Sequence, residues 1–448
     1  MKSKKEEQKD LEELAKSYKQ FLNRGKTERE CVNFVIREAK KHGYKNLENL
    51  MQENRQIQPG EKVYISHMGK IVALFQIGTA PLEEGMNILG SHLDSPRIDI
   101  KQVPLYEERG LAYFDTHYYG GIKKYQWLGI PLAIHGVVVK LDGTVIEVCI
   151  GEKKNDPAFV ITDLLPHLGR DKEEKKLKEF IDAEKMDLLI GNGNNDTVKS
   201  KILDILYKEY QIKEEDFISA ELEIVPAGKA RDCGLDYSMI LGYGQDDRSC
   251  AFAALRAMLE CENPKRTICT IFVDKEEIGS VGATGMHSKF FENSIQSLKK
   301  LVNFKEYKEK EMILQNSFML SCDVTAAYDP MYSEYFESRN SAYLSKGLVL
   351  SKFSGKGGKS GGNDANAEYI AKLRQCFSQN NVIYQTAELG AVDRGGGGTI
   401  AYIMASYGMQ VVDCGIGVLN MHAPWEVISK LDLYEMKKGY LAFLNNIK

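Results

Sequence analysis

The sequence predicts an α/β domain interrupted by an inserted, strand-rich domain. Three observations carry that prediction. Short apolar runs rich in β-branched residues, such as "TICTIFV" (267 to 273), are the kind that become strands buried on both faces of a sheet. They alternate with apolar helical segments such as "CAFAALRAMLE" (250 to 260). Between residue 99 and about residue 235 the alternation gives way to runs of strand formers, charged stretches and glycine-rich turns. A chain of 448 residues is also too long for one small core, and its length corresponds to about two or three domains.

Taken in order, Leu11, Leu14, Ala15, Tyr18 and Leu22 fall on one face of an N-terminal helix, and Thr27 to Glu30 has the capping-box pattern that opens a second. The period then shortens. "KVYISHMGKIVALFQIG" (62 to 78) reads as two strands around a His67-Met68-Gly69-Lys70 turn, and "MNILGSHLDSP" (86 to 96) as a strand running into a loop. The insert is assigned to residues 99–235. Within it, "GIPLAIHGVVVKLDGTVIEVCIGE" (129 to 152) is strand-forming around an Asp-Gly turn, "DKEEKKLKEFIDAEKMD" (171 to 187) is a solvated, charge-dense stretch, and "GNGNND" (191 to 196) is a loop. The enclosing domain then comprises residues 1–98 and 236–448, with further strands at 267 to 273 and in "SFMLSCDV" (317 to 324).

Composition excludes several classes of partner. Lys and Arg number 59 against 63 Asp and Glu, so a net charge of -4 gives no general attraction to nucleic acid or to an anionic membrane. The longest apolar runs fall short of the roughly 18 residues needed to span a bilayer. The first residues, "MKSKKEEQKDLEELAKSYKQF", are charged where a signal peptide needs an apolar core. Nine cysteines lack CxxC spacing, and Cys250, Cys269, Cys322, Cys376 and Cys414 sit in apolar segments as small buried hydrophobes do. The expectation is a cytoplasmic protein.

The residues able to do chemistry cluster at the ends of apolar elements. His92 closes a strand in "GSHLDSP", with Asp94 two positions on and on the same side of an extended chain. A metal-bound imidazole needs an acceptor for its second nitrogen, and a carboxylate at this spacing is one supplier. Taken alone, the pair reads more simply as a polar turn after a strand. Asp246 and Asp247 precede a buried helix, where a capping role is the simplest reading. Glu276 and Glu277 follow a strand in "FVDKEEIGS", Asp323 ends another in "LSCDVTAAYDP", and His422 lies in "NMHAPWE". Five such junctions together point to one site, because sites in open α/β sheets form outside the carboxyl ends of the strands.

In this order, "GSHLDSP", "DDRSC", "DKEEIGS", "SCDVTAAYDP" and "MHAPWE" resemble the co-catalytic zinc aminopeptidases of the aspartyl aminopeptidase family, bacterial branch. The similarity runs over essentially the whole chain, insert included. It implies a mixed-sheet α/β/α zinc-peptidase domain whose insert serves dimerisation and assembly. It also implies two Zn2+ per subunit, with Mn2+ or Co2+ as substitutes: His92 and Asp323 on one ion, Glu277 and His422 on the other, and Asp246 bridging both. Glu276 is then the general base, Asp94 steadies His92, and Asp274 is left as a local structural acid. His167, in "PAFVITDLLPHLG", matches a family histidine that reaches a neighbouring subunit's active site and helps hold an oxyanion. The implied assembly is a homo-oligomer, up to a dodecamer, acting on short peptides.

The donor chemistry agrees with this. Imidazole and carboxylate suit zinc, and three protein ligands per ion leave a position for water. Adjacent acids in a strand point oppositely, so Glu276 and Glu277 can serve one water only if the backbone turns just after Asp274. Two other features receive plainer readings. "SGKGGKSGGND" (354 to 364) has Phe353 where a phosphate-binding loop needs glycine, so it reads as a flexible loop, which the resemblance puts beside the substrate. "DRGGGGTIAYIMASYG" (393 to 408) is a glycine turn before a helix, which the resemblance puts beside the substrate as well.

Departures from the family pattern concern specificity. In "KGLVLSK" Ser351 stands where typical aspartyl enzymes carry a lysine, and Lys352 follows one residue later; Asp393, Arg394 and four glycines replace a polar loop pattern. A preference for acidic N-termini does not follow. The rival readings are a related dinuclear zinc deacylase or carboxypeptidase, and a metal-binding scaffold without catalysis. An acid beside a ligand argues against the scaffold, since a structural site closes its coordination and needs no base.

Overall fold

A computed structural model describes residues 3–170, 174–194, 197–302 and 310–447. Residues 171–173 of the charge-dense stretch and residues 195 and 196 of the "GNGNND" loop lie outside the described residues. The chain forms two compact units. The first comprises Met1–Asp94, Ala230–Met421 and Glu426–Lys448; the second comprises Ser95–Lys229 with His422–Trp425.

The first unit is built on a mixed nine-stranded sheet. Its centre is parallel: Met86–His92 lies between Thr267–Val273 and Phe318–Ser321, and Gln410–Gly415 continues the parallel set beyond Phe318–Ser321. Antiparallel strands flank this centre, Ile71–Gln76 on one side and Leu348–Ser351 on the other. Every residue of Met86–His92 and of Thr267–Val273 is buried, as expected for strands covered on both faces. Alternate residues feed two separate cores. Leu74, Leu89, Phe272, Leu320 and Val412 pack with the helices Lys4–Arg24, Glu28–Lys41, Gln245–Glu260, Ala367–Gln379 and Lys430–Asn446. Phe75, Ile88, Ile271, Met319 and Val411 face the other core, with Phe290–Leu301 and Ala401–Ala405. The unit is therefore an α/β/α sandwich.

Local signals explain the entry helices. Leu11, Leu14, Ala15, Tyr18, Phe21 and Leu22 are the buried stripe of the first helix, and Thr27 with Glu30 forms the capping box of the second. A small antiparallel sheet of Arg231–Cys233, Met239–Gly242 and Glu426–Ser429 completes the unit.

The second unit carries a seven-stranded antiparallel sheet. Its long hairpin, Arg97–Glu108 with Leu111–Tyr119, turns at Arg109 and Gly110, both with positive φ. The hairpin Leu132–Val139 with Val145–Ile150 turns through Asp142 and Gly143, as its sequence suggests. Buried Arg97 is 3.1 Å from the Glu223 carboxylate and lies over the ring of Tyr119. The sheet's edges are Val145–Ile150 and Val160–Ile161. Among the described residues, no helix of the chain is long and apolar enough to cross a membrane.

Candidate metal centre

Three parallel strands deliver their carboxyl ends to the same edge of the first unit's sheet. His92 is the last residue of its strand, opposite Val273, and Asp323 follows Ser321 by two residues. Asp246 arrives from a different element. The chain passes through Gly244 (φ 70°) into the helix Gln245–Glu260, whose opening residues Asp246 and Asp247 are joined by a cis peptide. His92, Asp246 and Asp323 each offer a ligand atom, and these atoms lie within 4.8 Å of one another. His92 Nε2 is 3.3 Å from an Asp246 oxygen. The opposite ring nitrogen, Nδ1, is 3.0 Å from the main-chain oxygen of Asp94, which fixes the ring and leaves Nε2 for the site.

The two adjacent glutamates are turned by local geometry. The strand stops at Val273, Lys275 adopts a left-handed conformation (φ 68°), and Glu276–Ile278 forms a single 3-10 turn ending at Gly279 (φ 99°). Asp274 makes this tolerable for a lysine. Its Oδ1 accepts the Lys275 N–H at 2.8 Å, while Oδ2 accepts the Thr284 hydroxyl at 2.7 Å and lies 3.1 Å from Lys275 Nζ. Asp94 caps the turn from the other side, its two oxygens accepting the Glu276 and Glu277 N–H groups at 3.2 Å each. Neighbouring side chains in a 3-10 turn do not alternate as they would in a strand. Glu277 comes within 4.8 Å of the Asp246 carboxylate, and Glu276 Oε2 within 4.0 Å of His92 Nε2.

The electrostatics describe a place for cations. Burial drives the Asp323 carboxyl well above its ordinary pKa, and the neighbouring Asp247 carboxylate adds to the effect. Burial does the same to Asp247. Desolvation opposes protonation of His92, yet hydrogen bonds with Asp246 and Asp94 outweigh it and hold its pKa well above the usual imidazole value. Several carboxylates crowded in a dry pocket repel one another, and bound divalent cations relieve that repulsion. The donor set, imidazole plus carboxylates, fits zinc.

His92, Asp94, Asp246, Glu276, Glu277 and Asp323 thus belong to one unit. His422 belongs to the second unit, in the excursion His422–Trp425, with φ 65° and Nδ1 3.1 Å from the Gly121 carbonyl oxygen. His167 lies exposed in the short turn Pro166–Leu168 of that unit. The two glycine loops of the first unit meet, Gly355 N–H donating to the Gly397 carbonyl at 2.7 Å.

Sequence reasoning passed over three buried groups around these ligands. Asp247, fully buried, accepts the His92 N–H at 3.4 Å. Gln245 and Glu426 hold the segment carrying Asp246, with the Asp246 N–H donating to Glu426 at 3.2 Å. All three bond main-chain groups, Asp247 and Glu426 accepting N–H groups and Gln245 donating to the carbonyl oxygens of Ile240 and Glu426, which leaves no periodicity to read. The only available signal was the position of each beside a proposed ligand or, for Glu426, inside the quoted "MHAPWE" motif.

A family model described as Aminopeptidase I zinc metalloprotease (M18) matches residues 21–444. A Clostridium acetobutylicum protein described as a probable M18 family aminopeptidase 1 is 55% identical over 444 residues, covering 98% of this chain and 96% of that protein. The crystal structure of aminopeptidase I from Clostridium acetobutylicum superposes with a TM-score of 0.90 over 97% of this chain and 95% of that one. An M18 family aminopeptidase from Thermotoga maritima, 42% identical, gives 0.92 over 98% of this chain and 97% of that chain. A Saccharomyces cerevisiae structure described as a dodecamer is only 21% identical and shares the fold, with a TM-score of 0.80 over 97% of each chain.

Proposed function

Given that this chain belongs to the M18 family of zinc metalloproteases and is a metal-dependent aminopeptidase, we propose that it works through two zinc ions per subunit. His92 and Asp323 hold one, Glu277 and His422 the other, and Asp246 is shared. The observation that carries this reading is the Asp246 carboxylate, which lies within 4.8 Å of ligand atoms from His92 and Asp323 and also of Glu277. When bound, such ions lower the pKa of a water and polarise a carbonyl.

The chain's own residues supply the rest. Asp94 fixes His92 through the ring's Nδ1, so that Nε2 keeps its direction. Glu276, partly exposed beside His92, takes the proton from the attacking water and returns it to the departing amine. Peptides with a free N-terminus are the substrates. A preference for an acidic first residue gains no support from Lys352, the basic group nearest the family's lysine position, whose Nζ is 3.4 Å from Asp364.

The second unit is the assembly domain of a homo-oligomer, with His167 serving a neighbour's site. Exposed Leu164, Leu165 and Leu168 around His167, and the sheet's open edges, support this because such surfaces call for cover. The yeast structure of this fold is described as a dodecamer. Nine free cysteines, seven of them buried, support a reducing, cytoplasmic setting.

The test is a panel of aminoacyl-anilides and N-acetylated peptides assayed with zinc, manganese or cobalt beside a chelated control. Cleavage of free-amine substrates that stops with chelator and returns with metal is expected. Cleavage confined to N-acetylated substrates would identify a deacylase instead. Light scattering tests assembly, and a monomer at working concentration removes the role given to His167.

A further inference from the structure

We propose that Glu426 is a positioning residue for the metal pair, holding the shared ligand Asp246 through the main chain. The inference rests on the reading of Asp246 as that shared ligand.

Asp246 (φ -80°, ψ 109°) and Asp247 (φ -113°, ψ 23°) depart from helical backbone, so the N–H groups of Gln245 and Asp246 lie ahead of the regular helix, and buried N–H groups need acceptors from elsewhere. Gln245 is fully enclosed and Asp246 nearly so. No side chain of the preceding residue can cap them, because the N-cap is Gly244. A single oxygen from a distant strand does it instead. Glu426 Oε2 accepts the Gln245 N–H at 2.5 Å and the Asp246 N–H at 3.2 Å. Glu426 is itself pinned by the pairing of Gly242 with Glu426 in the small sheet.

The Gln245 side chain completes the clamp. Its Nε2 donates to the main-chain oxygens of Glu426 (2.6 Å) and Ile240 (3.0 Å), and its Oε1 accepts the Tyr18 hydroxyl at 3.3 Å. Tyr18 is fully buried in the first helix, its ring against Phe252. Strand, helix and N-terminal helix thus converge on the one peptide that carries Asp246. The arrangement repeats what Asp94 does for Glu276 and Glu277: a buried carboxylate accepts two consecutive N–H groups. Charge-assisted bonds of this kind are the strong ones, and they fix direction as well as energy.

The experiment titrates zinc into metal-stripped full-length protein against a chromophoric chelator, for wild type, Glu426→Ala, Glu426→Gln and Asp246→Asn, with thermal melts of each stripped protein. Both N–H groups use one oxygen, so the Gln variant keeps an acceptor and should stay close to wild-type affinity. The Ala variant should bind zinc about 10–100-fold more weakly, the usual range for groups that orient ligands. If the Ala variant does not fold, Glu426→Asp replaces it, keeping the charge while withdrawing the oxygen by one methylene. A lowered melting temperature with unchanged zinc affinity in the Ala or Asp variant overturns the proposal and leaves Asp246 as ligand. Undiminished binding of both ions by Asp246→Asn overturns the shared-ligand reading itself.

Discussion

The Asp94 carboxylate accepts the backbone N–H of Glu277 at 3.2 Å, although 183 residues of chain separate them. Its second oxygen takes the N–H of Glu276 at the same distance. Both oxygens therefore act as acceptors on the turn that presents the two glutamates. Asp94→Asn should turn one of those acceptors into a donor facing a donor. We expect zinc affinity to fall about 10–100-fold, and stability to fall by about 1–3 kcal/mol for the buried group left without a partner. Zinc titration and denaturant melts read the two effects separately.

Glu276 is assigned the proton, and Glu277 the metal. Glu276→Gln is nearly isosteric and leaves every proposed ligand in place. Its zinc content should equal that of wild type while kcat falls by about 10²–10⁴-fold, the usual worth of acid–base assistance. Turnover at the wild-type rate would remove Glu276 from the mechanism.

Gly415 ends the strand Gln410–Gly415, and a Cβ there would lie 1.9 Å from the main-chain oxygen of Asp323. Gly415→Ala must displace the peptide that presents Asp323, a proposed metal ligand. Overpacking of this kind costs about 1–3 kcal/mol, and zinc bound per subunit should drop with it. Elemental analysis together with a thermal melt checks both.

Asp432, in the first turn of the C-terminal helix, reports on pH. Burial pushes its carboxyl up to about 7, against the opposing N–H bonds from Gly347 and Ser345. A carboxyl whose pKa is higher folded than unfolded binds its proton more tightly in the folded state. Its stabilising contribution is therefore complete below about pH 4 and is lost as pH rises through about 7. Relative to Asp432→Asn, wild type should lose stability across that window and run parallel above it. Urea melts at a series of pH values give the slope.

How much of this was legible in the sequence depends on what kind of contact each residue makes. The strand at 267 to 273 announced itself through its apolar run, and its last residue faces His92 in the parallel ladder. The proposed ligands were visible because each is a polar residue terminating an apolar element. The turn after Asp274 was legible only as a requirement. It is met by a left-handed lysine whose strain is offset by Asp274 and Thr284, a solution that no glycine marked. Asp247, Gln245 and Glu426 were not legible as parts of the site, since a side-chain partner for a main-chain group elsewhere in the fold is defined by folding alone.

The ladder that sets the site also sets when it can exist. Met86–His92 pairs with strands that follow it by a long stretch of chain, and the His92 N–H waits for an acceptor 155 residues further on. At about 5–20 residues per second, ribosomal synthesis takes about 8–30 s to cover that gap. Through that interval a strand that is buried along its whole length in the folded protein leaves the ribosome without either neighbour, the kind of surface that holdase chaperones cover. The proposed ligands His92, Asp246, Glu277, Asp323 and His422 are thus all present only near the end of the chain's own synthesis.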